Sequence, residues 1–244
     1  MANLLYAELL KLKRSNMFLV SIIGAAVAPF MCFIAYVTKR NERPDIPVSF
    51  GEFFSETNLY VLMLIGVMLY GVITAYLFNR EYVENTLKNI LTIPVSKTSL
   101  IISKVILLFI WIMWLTIAAW ALTLVFGLIG SFENLTIAIL IKALKEYLVG
   151  GTLLFLLATP TIFVTLLFKD YVPTIVFTIA VTMVNVLIAN SKYSVLYPWS
   201  ATLAIATKTF RPEYSQIYSY ISIFAVSIIG FIATIICFNK EDIR

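Results

Sequence analysis

Residues 105–129 read VILLFIWIMWLTIAAWALTLVFGLI, an apolar run without a single Asp, Glu, Lys or Arg. A helix needs about 20 apolar residues to cross the hydrocarbon core of a bilayer, so this run is long enough. Backbone groups in lipid have no water to bond, and a helix satisfies nearly all of them within one segment. The stretch therefore predicts a membrane-spanning α-helix.

Five further runs have the same character, and the whole chain is 61% hydrophobic and only 13% charged, outside the range of soluble domains. The predicted spans cover residues 17–37, 59–78, 105–129, 147–168, 171–189 and 221–238. The polar stretches between them are too short to bury a core of their own. We therefore expect an all-α polytopic membrane protein that forms one transmembrane domain over residues 1–244.

The residue inventory argues against a catalytic site in this chain. It contains no histidine, the commonest general base and metal ligand, and no phosphate-binding Gly-x-x-x-x-Gly-Lys-Ser/Thr motif. The two cysteines, Cys32 and Cys237, fall in different spans and at different expected depths, too far apart for a disulfide. We expect no catalytic residue, no metal site, no bound cofactor and no nucleic-acid partner.

The predicted spans also lack the ionisable residues that ion-driven carriers place near the membrane midplane. Active transport would then need an energy source on another polypeptide. Asn185 is the most polar residue within the spans and is a candidate substrate contact, although an interhelical hydrogen bond explains it equally well.

The first residues, 3–14, have the spacing of an amphipathic helix. One face carries Glu8, Lys11 and Arg14, and another carries Leu5, Leu9 and Leu12. This pattern is typical of an interfacial helix that lies in the membrane plane. The alternative is a basic flank that only sets topology. Slightly more of the 18 lysines and arginines fall inside if both termini are cytoplasmic, so we expect that orientation.

The loop between the second and third spans, residues 79–97, reads NREYVENTLKNILTIPVSK. At helical spacing its polar and apolar side chains separate onto two sides, and Pro94 ends the pattern. The apolar side holds Val83, Thr86, Leu87, Ile90 and Leu91; the polar side holds Glu81, Glu84, Asn85, Lys88, Asn89 and Thr92. The loop is either a linker resting on lipid headgroups or a docking helix for a partner.

This loop resembles the first cytoplasmic loop of six-helix permease subunits of type-2 ABC exporters. The matching residues are Glu81, Thr86-Leu87, Ile90-Leu91 and Pro94-Val95-Ser96-Lys97. Asn85 departs from the pattern, because many relatives carry Gly before the Thr. The N-terminal ELLKLKRS, residues 8–15, is similar to the surface helix of the same family. Within it, the chain resembles permeases for bacitracin resistance, lantibiotic immunity and peptide export.

The resemblance implies a permease in a bacterial plasma membrane that exports amphipathic or antimicrobial peptides or lipid-linked antibiotics. It implies a second permease subunit, identical or homologous, and two copies of a separate ATP-binding subunit that hold ATP and Mg. The loop would be a coupling helix that contacts this subunit through Glu81, Tyr82, Glu84, Asn85, Thr86 and Leu87. The alternatives are a non-transporting membrane sensor or assembly protein, or a secondary carrier.

Two features of the expected outer face have either a structural role or a binding role, and the sequence does not decide between them. Residues 190–220 are rich in tyrosine and would form either an aromatic anchor at the membrane interface or a substrate contact. The acidic set Glu42, Asp45, Glu52 and Glu56 would attract cationic peptides, or would be solvated loop charges.

Overall fold

The computed structural model describes residues 2–13, 15–43, 47–84 and 96–240, and most of these residues are helical. The α-helices are α1 (Ala2–Lys13), α2 (Met17–Glu42), α3 (Phe50–Tyr60), α4 (Gly66–Val83), α5 (Lys97–Ile129), α6 (Ile137–Leu156), α7 (Ala158–Phe168), α8 (Tyr171–Ile188), α9 (Pro198–Thr207) and α10 (Ile217–Asn239). A π-helical turn (Val61–Ile65) joins α3 to α4, and a 3₁₀ turn (Lys192–Val195) precedes α9.

Within the described part of the chain, six helical units are long and apolar enough to cross a membrane, which confirms the predicted all-α, six-span class. They are Met17–Glu42, Phe50–Val83, Thr98–Ile129, Ile137–Phe168, Tyr171–Ile188 and Ile217–Asn239. The second and fourth units extend well beyond the predicted 59–78 and 147–168. The prediction ended each span close to the nearest charged residue. A membrane-spanning helix, however, continues beyond the hydrocarbon core and has charged residues at its ends.

The long helix α5 lies at the centre of the bundle and packs against α1, α2, α3, α4, α6 and α10. Its Leu108, Ile112 and Leu115 are fully buried in the main hydrophobic cluster. Small residues allow close approach elsewhere. A methyl group at Gly230 of α10 would lie 2.6 Å from the backbone nitrogen of Pro160, so glycine sets the distance between α10 and α7.

At one end of the bundle, the α2–α3 and α5–α6 connections are pinned together around Phe132. Its ring contacts the rings of Tyr36 and Phe53, at centroid distances of 6.0 and 4.9 Å. Backbone hydrogen bonds of 2.9 Å join Glu133 to Val48 and to Phe50. We call this the aromatic end of the bundle.

Within residues 190–220, which we predicted to form an aromatic anchor or a substrate contact, helix α9 packs back into the bundle at the aromatic end. Helix α9 begins with Pro198 in its first turn, a position that suits proline, and packs against α6 and α10. Ala201 and Thr202 are completely buried. The Tyr197 hydroxyl donates to Val181 O at 3.1 Å, and burial raises the pKa of Tyr197 to about 12.

Candidate functional site

Four charged side chains meet at the end of the bundle opposite the aromatic end. They are Glu8 and Lys11 of α1, Glu81 in the last turn of α4 and Lys104 near the start of α5. We call this set the charge cluster. Helices α4 and α5 flank residues 85–95, so the cluster lies where both flanks of that loop enter the bundle.

The innermost pair is Glu81 and Lys104. The Lys104 ammonium lies 2.5 Å from Glu81 Oε2, and each side chain is only 3% exposed. Lys104 Nζ also donates to Leu77 O at 2.6 Å, one turn before Glu81 on α4. A buried charge is tolerated when it is paired and hydrogen-bonded, and this ammonium has both kinds of partner.

Helix α1 completes the charge balance of the cluster. Lys11 Nζ lies 2.6 Å from Glu8 Oε1 and 3.3 Å from Glu81 Oε1, while Lys104 Nζ lies 3.7 Å from Glu8 Oε2. Burial opposes the charge on Lys11, but the carboxylates of Glu8 and Glu81 outweigh it and raise the pKa of Lys11. Two ammonium groups and two carboxylates therefore form a neutral network that fastens α1 to the bundle.

The sequence contains a signal for this burial, although our prediction placed Glu81 on the polar side of a loop helix. Glu81 continues a buried stripe of α4 at helical spacing, and Lys104 lies within a matching stripe of α5. The stripe on α4 consists of Tyr70, Thr74, Leu77 and Glu81. The stripe on α5 consists of Leu100, Lys104, Leu107 and Trp111. A charge in line with buried residues on each of two consecutive helices predicts an ion pair between them.

A second set of contacts ties the same end of α4 to the α7–α8 turn. In the amide orientation that suits its neighbours, Asn79 donates to Lys169 O at 2.9 Å and accepts from Tyr171 N at 3.3 Å. Lys169 adopts a left-handed conformation, with φ of 55°, which ends α7 and turns the chain into α8. The Tyr76 hydroxyl donates to Ser15 Oγ at 2.7 Å, joining α4 to the chain between α1 and α2.

The predicted partner contacts therefore divide into three groups. Glu81 is buried in the charge cluster, and Tyr82 is half-buried with Lys169 Nζ 5.5 Å from its ring centroid. Glu84 is exposed and paired with Arg80 at 2.8 Å. The remaining three, Asn85, Thr86 and Leu87, lie outside the described residues. Residues 79–83, which we assigned to the loop helix, are the end of α4.

The N-terminal helix forms as predicted within one residue, but its polar side chains face the bundle. Glu8 and Leu12 are buried and Leu5 packs against the main hydrophobic cluster, whereas Tyr6, Leu9 and Leu10 are exposed. We predicted that this segment is either an interfacial helix in the membrane plane or a basic flank that only sets topology. Lys11 pairs with Glu8 three residues away, but these two residues also meet Glu81 and Lys104, 70 or more residues away, and the spacing within α1 alone does not indicate these contacts.

Asn185, the candidate substrate contact, is fully buried in α8. Its Nδ2 donates to Met63 O at 2.8 Å, within the π-helical turn, and its Oδ1 accepts from Ser200 Oγ of α9. Met63 lies in the π-helical turn, whose backbone bonding departs from the α-helical pattern. The side chain thus joins three elements of the bundle.

Comparison with known proteins adds two findings to this geometry. Residues 4–185 match the family described as ABC-2 family transporter protein. Over 208 residues, the chain is 59% identical to the bacitracin transport permease protein BCRB of Bacillus licheniformis. That alignment covers 85% of this chain and 100% of the relative.

Proposed function

Because this chain belongs to the ABC-2 family of transporters, we propose that it is the membrane-spanning permease subunit of an ATP-driven exporter of peptide antibiotics such as bacitracin. It would lie in a bacterial plasma membrane with both termini in the cytoplasm. The family and the name of the similar permease support this proposal. The structural observation that supports the proposal is the charge cluster, because this cluster joins both flanks of residues 85–95 to the N-terminal helix.

The proposal assigns ATP hydrolysis to a separate ABC subunit, two copies of which bind ATP and Mg beneath a pair of permeases. Glu84, Asn85, Thr86 and Leu87 would contact that subunit. Glu81 would act from within the permease as a positioning residue. A force on residues 85–95 would reach α4 and α5 directly, and would reach α1 through the Lys11–Glu81 contact of 3.3 Å.

The Asn79 contacts provide a further route for the same movement. They fasten the end of α4 to the α7–α8 turn, so a displacement of α4 would also shift α8. Helix α8 would in turn pull on the π turn through Asn185 and Met63. Coupling of this kind requires packed elements with two arrangements, and ATP binding on the partner would bias one of them.

The test is reconstitution of the permease with its ABC ATP-binding subunit in sealed vesicles, followed by assays of ATP hydrolysis and bacitracin transport. We expect bacitracin to stimulate hydrolysis and ATP to drive transport. Glu84→Lys should lower stimulated hydrolysis several-fold while membrane insertion is unchanged. The matched control, Glu213→Lys, changes another exposed carboxylate at the aromatic end and should leave hydrolysis intact.

Two results would contradict the proposal. One is gradient-driven uptake by the isolated permease, which would make it a secondary carrier. The other is the absence of any ATP-binding subunit from the complex purified in mild detergent, which would favour a sensor or assembly protein.

A further inference from the structure

A cleft of about 340 Å³ lies between α2 and the α3–π-turn segment, nearer to the aromatic end than to the charge cluster. Sites for small ligands have volumes of roughly 300–1,000 Å³, so the cleft is large enough to hold one. On α2 it is lined by Ala28, Met31, Cys32, Ala35 and Tyr36, and on the opposite side by Glu56 and Tyr60 among others. Ala35 and Tyr60 are exposed, so the cleft opens on the outside of the bundle.

The lining is apolar over most of its length. Ala28 and Tyr36 are eight residues apart on α2, which corresponds to roughly 12 Å of helix. The small side chains of Ala28, Cys32 and Ala35 leave a groove in the surface of α2, and the flexible Met31 lies at its edge. The groove is therefore suited to aliphatic or aromatic side chains and not to a hydrated group.

One end of the cleft carries a carboxylate. Glu56 accepts a hydrogen bond from the Tyr36 hydroxyl, which fixes its position. Among the described residues, no lysine or arginine forms an ion pair with Glu56. The nearby cation Lys39 lies instead over the Tyr36 ring, with Nζ 5.5 Å from the centroid.

We propose that this cleft binds a basic side chain of an amphipathic peptide together with an adjoining apolar side chain. The ammonium or guanidinium group would meet Glu56, and the apolar side chain would lie along Ala28, Cys32 and Ala35. Glu56 is exposed to solvent, but its carboxylate lies beside apolar surface, where opposite charges attract each other more strongly than in bulk water. The neutral surface of α2 supplies the remaining contact.

This proposal deepens the proposed function by naming a chemical feature that the exported peptide would present. It rests on that function only for its physiological role, since binding to the cleft requires neither ATP nor the ATP-binding subunit. An experiment can therefore contradict the cleft proposal without contradicting the export proposal, and the reverse is also true.

The experiment measures binding of two dansyl-labelled peptides, Leu-Lys-Leu and Leu-Gln-Leu, to the purified full-length permease in phosphatidylcholine nanodiscs. Fluorescence anisotropy reports binding, and empty nanodiscs give the background from lipid. We expect the basic peptide to bind at least about tenfold more tightly than the neutral one, equivalent to about 1.4 kcal/mol. Glu56→Gln should remove that preference.

Two further variants separate charge from shape. Glu52→Gln changes an exposed carboxylate one turn earlier on α3 that does not line the cleft, so the preference should persist. Ala35→Phe should fill the groove and weaken both peptides, and this exposed position carries the test if Glu56→Gln does not fold. Thermal unfolding of each variant checks its stability.

Equal binding of both peptides to the wild type, or an unchanged preference in Glu56→Gln, would overturn the proposal. Unchanged binding in Ala35→Phe would place the peptide elsewhere. If the preference depends on Glu56 but bacitracin never stimulates the ATP-binding subunit, the cleft assignment stands and the export proposal fails.

Discussion

Lys104 and Glu81 form an ion pair of 2.5 Å between the two helices that flank residues 85–95, and each side chain is 3% exposed. A buried pair of this kind adds little net stability compared with a well-packed apolar pair of the same volume. Removal of one partner, however, leaves an uncompensated buried charge, and that is strongly unfavourable. The pair therefore fixes how α4 and α5 lie against each other at the end of the bundle that holds the charge cluster.

We predict that Glu81→Gln lowers the free energy of unfolding by about 3–5 kcal/mol, because Lys11 and Lys104 would then share the single carboxylate of Glu8. Denaturant titration of the purified permease in detergent, followed by tryptophan fluorescence, measures this change. Glu84→Gln is the control. Glu84 is exposed and pairs with Arg80 at the surface, so its loss should change stability by less than about 1 kcal/mol.

The double variant Glu81→Gln/Lys104→Met tests the cause. It removes both buried charges and keeps similar volumes, so it should recover most of the stability lost in Glu81→Gln. A Glu81→Gln variant as stable as the wild type, or a double variant less stable than the single one, would show that the charge cluster does not fasten these helices.

A second prediction concerns the contact between α4 and α8. A methyl group at Gly71 would lie 2.1 Å from Thr178 Cγ2, far inside van der Waals contact. Gly71→Ala should therefore destabilise the protein by about 1–3 kcal/mol, in spite of the better helix propensity of alanine. Thr178→Ser removes the obstructing methyl group and keeps the hydroxyl, so it should partly rescue Gly71→Ala.

Gly51→Ala is the matched control, since a methyl group there would meet no atom within 4 Å. This substitution should leave stability unchanged or raise it by up to about 1 kcal/mol. Equal effects of the two alanine variants on the melting temperature would mean that backbone freedom, and not the close approach of α4 and α8, explains Gly71.

The sequence predicted the six spans because hydrophobicity is a property of consecutive residues. The charge cluster could not be predicted in the same way, since Lys11, Glu81 and Lys104 come from three separate parts of the chain. Residues 79–83 fit the helical periodicity of the preceding span and also that of the predicted loop helix. Local periodicity therefore placed Glu81 on the polar side of the loop helix. Only the buried stripe through Thr74 and Leu77 indicates that α4 continues to Glu81.

The packing of α9 against the bundle could not be predicted for a different reason. Residues 201–206 are only moderately apolar and too few to cross a membrane, so length and hydropathy favoured an interface loop. The helix is buried because small side chains such as Ala201 fit against α6 and α10. Packing complementarity between distant elements is not visible in a linear pattern. The same holds for the π turn that receives Asn185.

A third prediction separates the structural and substrate interpretations of Asn185. Asn185→Ala leaves Met63 O and Ser200 Oγ without the amide, so stability should fall by about 1–3 kcal/mol. Asn190→Ala, at an exposed position after α8, should change stability by less than about 0.5 kcal/mol. If Asn185 contacts substrate, Asn185→Ala would instead change the bacitracin concentration that half-stimulates ATP hydrolysis at unchanged melting temperature.

The last prediction fixes the orientation of the bundle. In a Cys32→Ser/Cys237→Ser background, Ser215→Cys should react with a membrane-impermeant maleimide in intact cells. Lys240→Cys should react only after the cells are permeabilised. Both positions are exposed and lie at opposite ends of α10, so the labels report the two sides of the membrane.

Charge bias favours this orientation only slightly, and the assay therefore tests the coupling proposal independently. The charge cluster and Glu84 lie at the same end of the bundle as Lys240, and ATP is hydrolysed in the cytoplasm. Labelling of Lys240→Cys in intact cells, with Ser215→Cys silent, would place that end outside. Residues 85–95 could not then meet an ATP-binding subunit, and the cleft beside Glu56 would open towards the cytoplasmic half of the membrane.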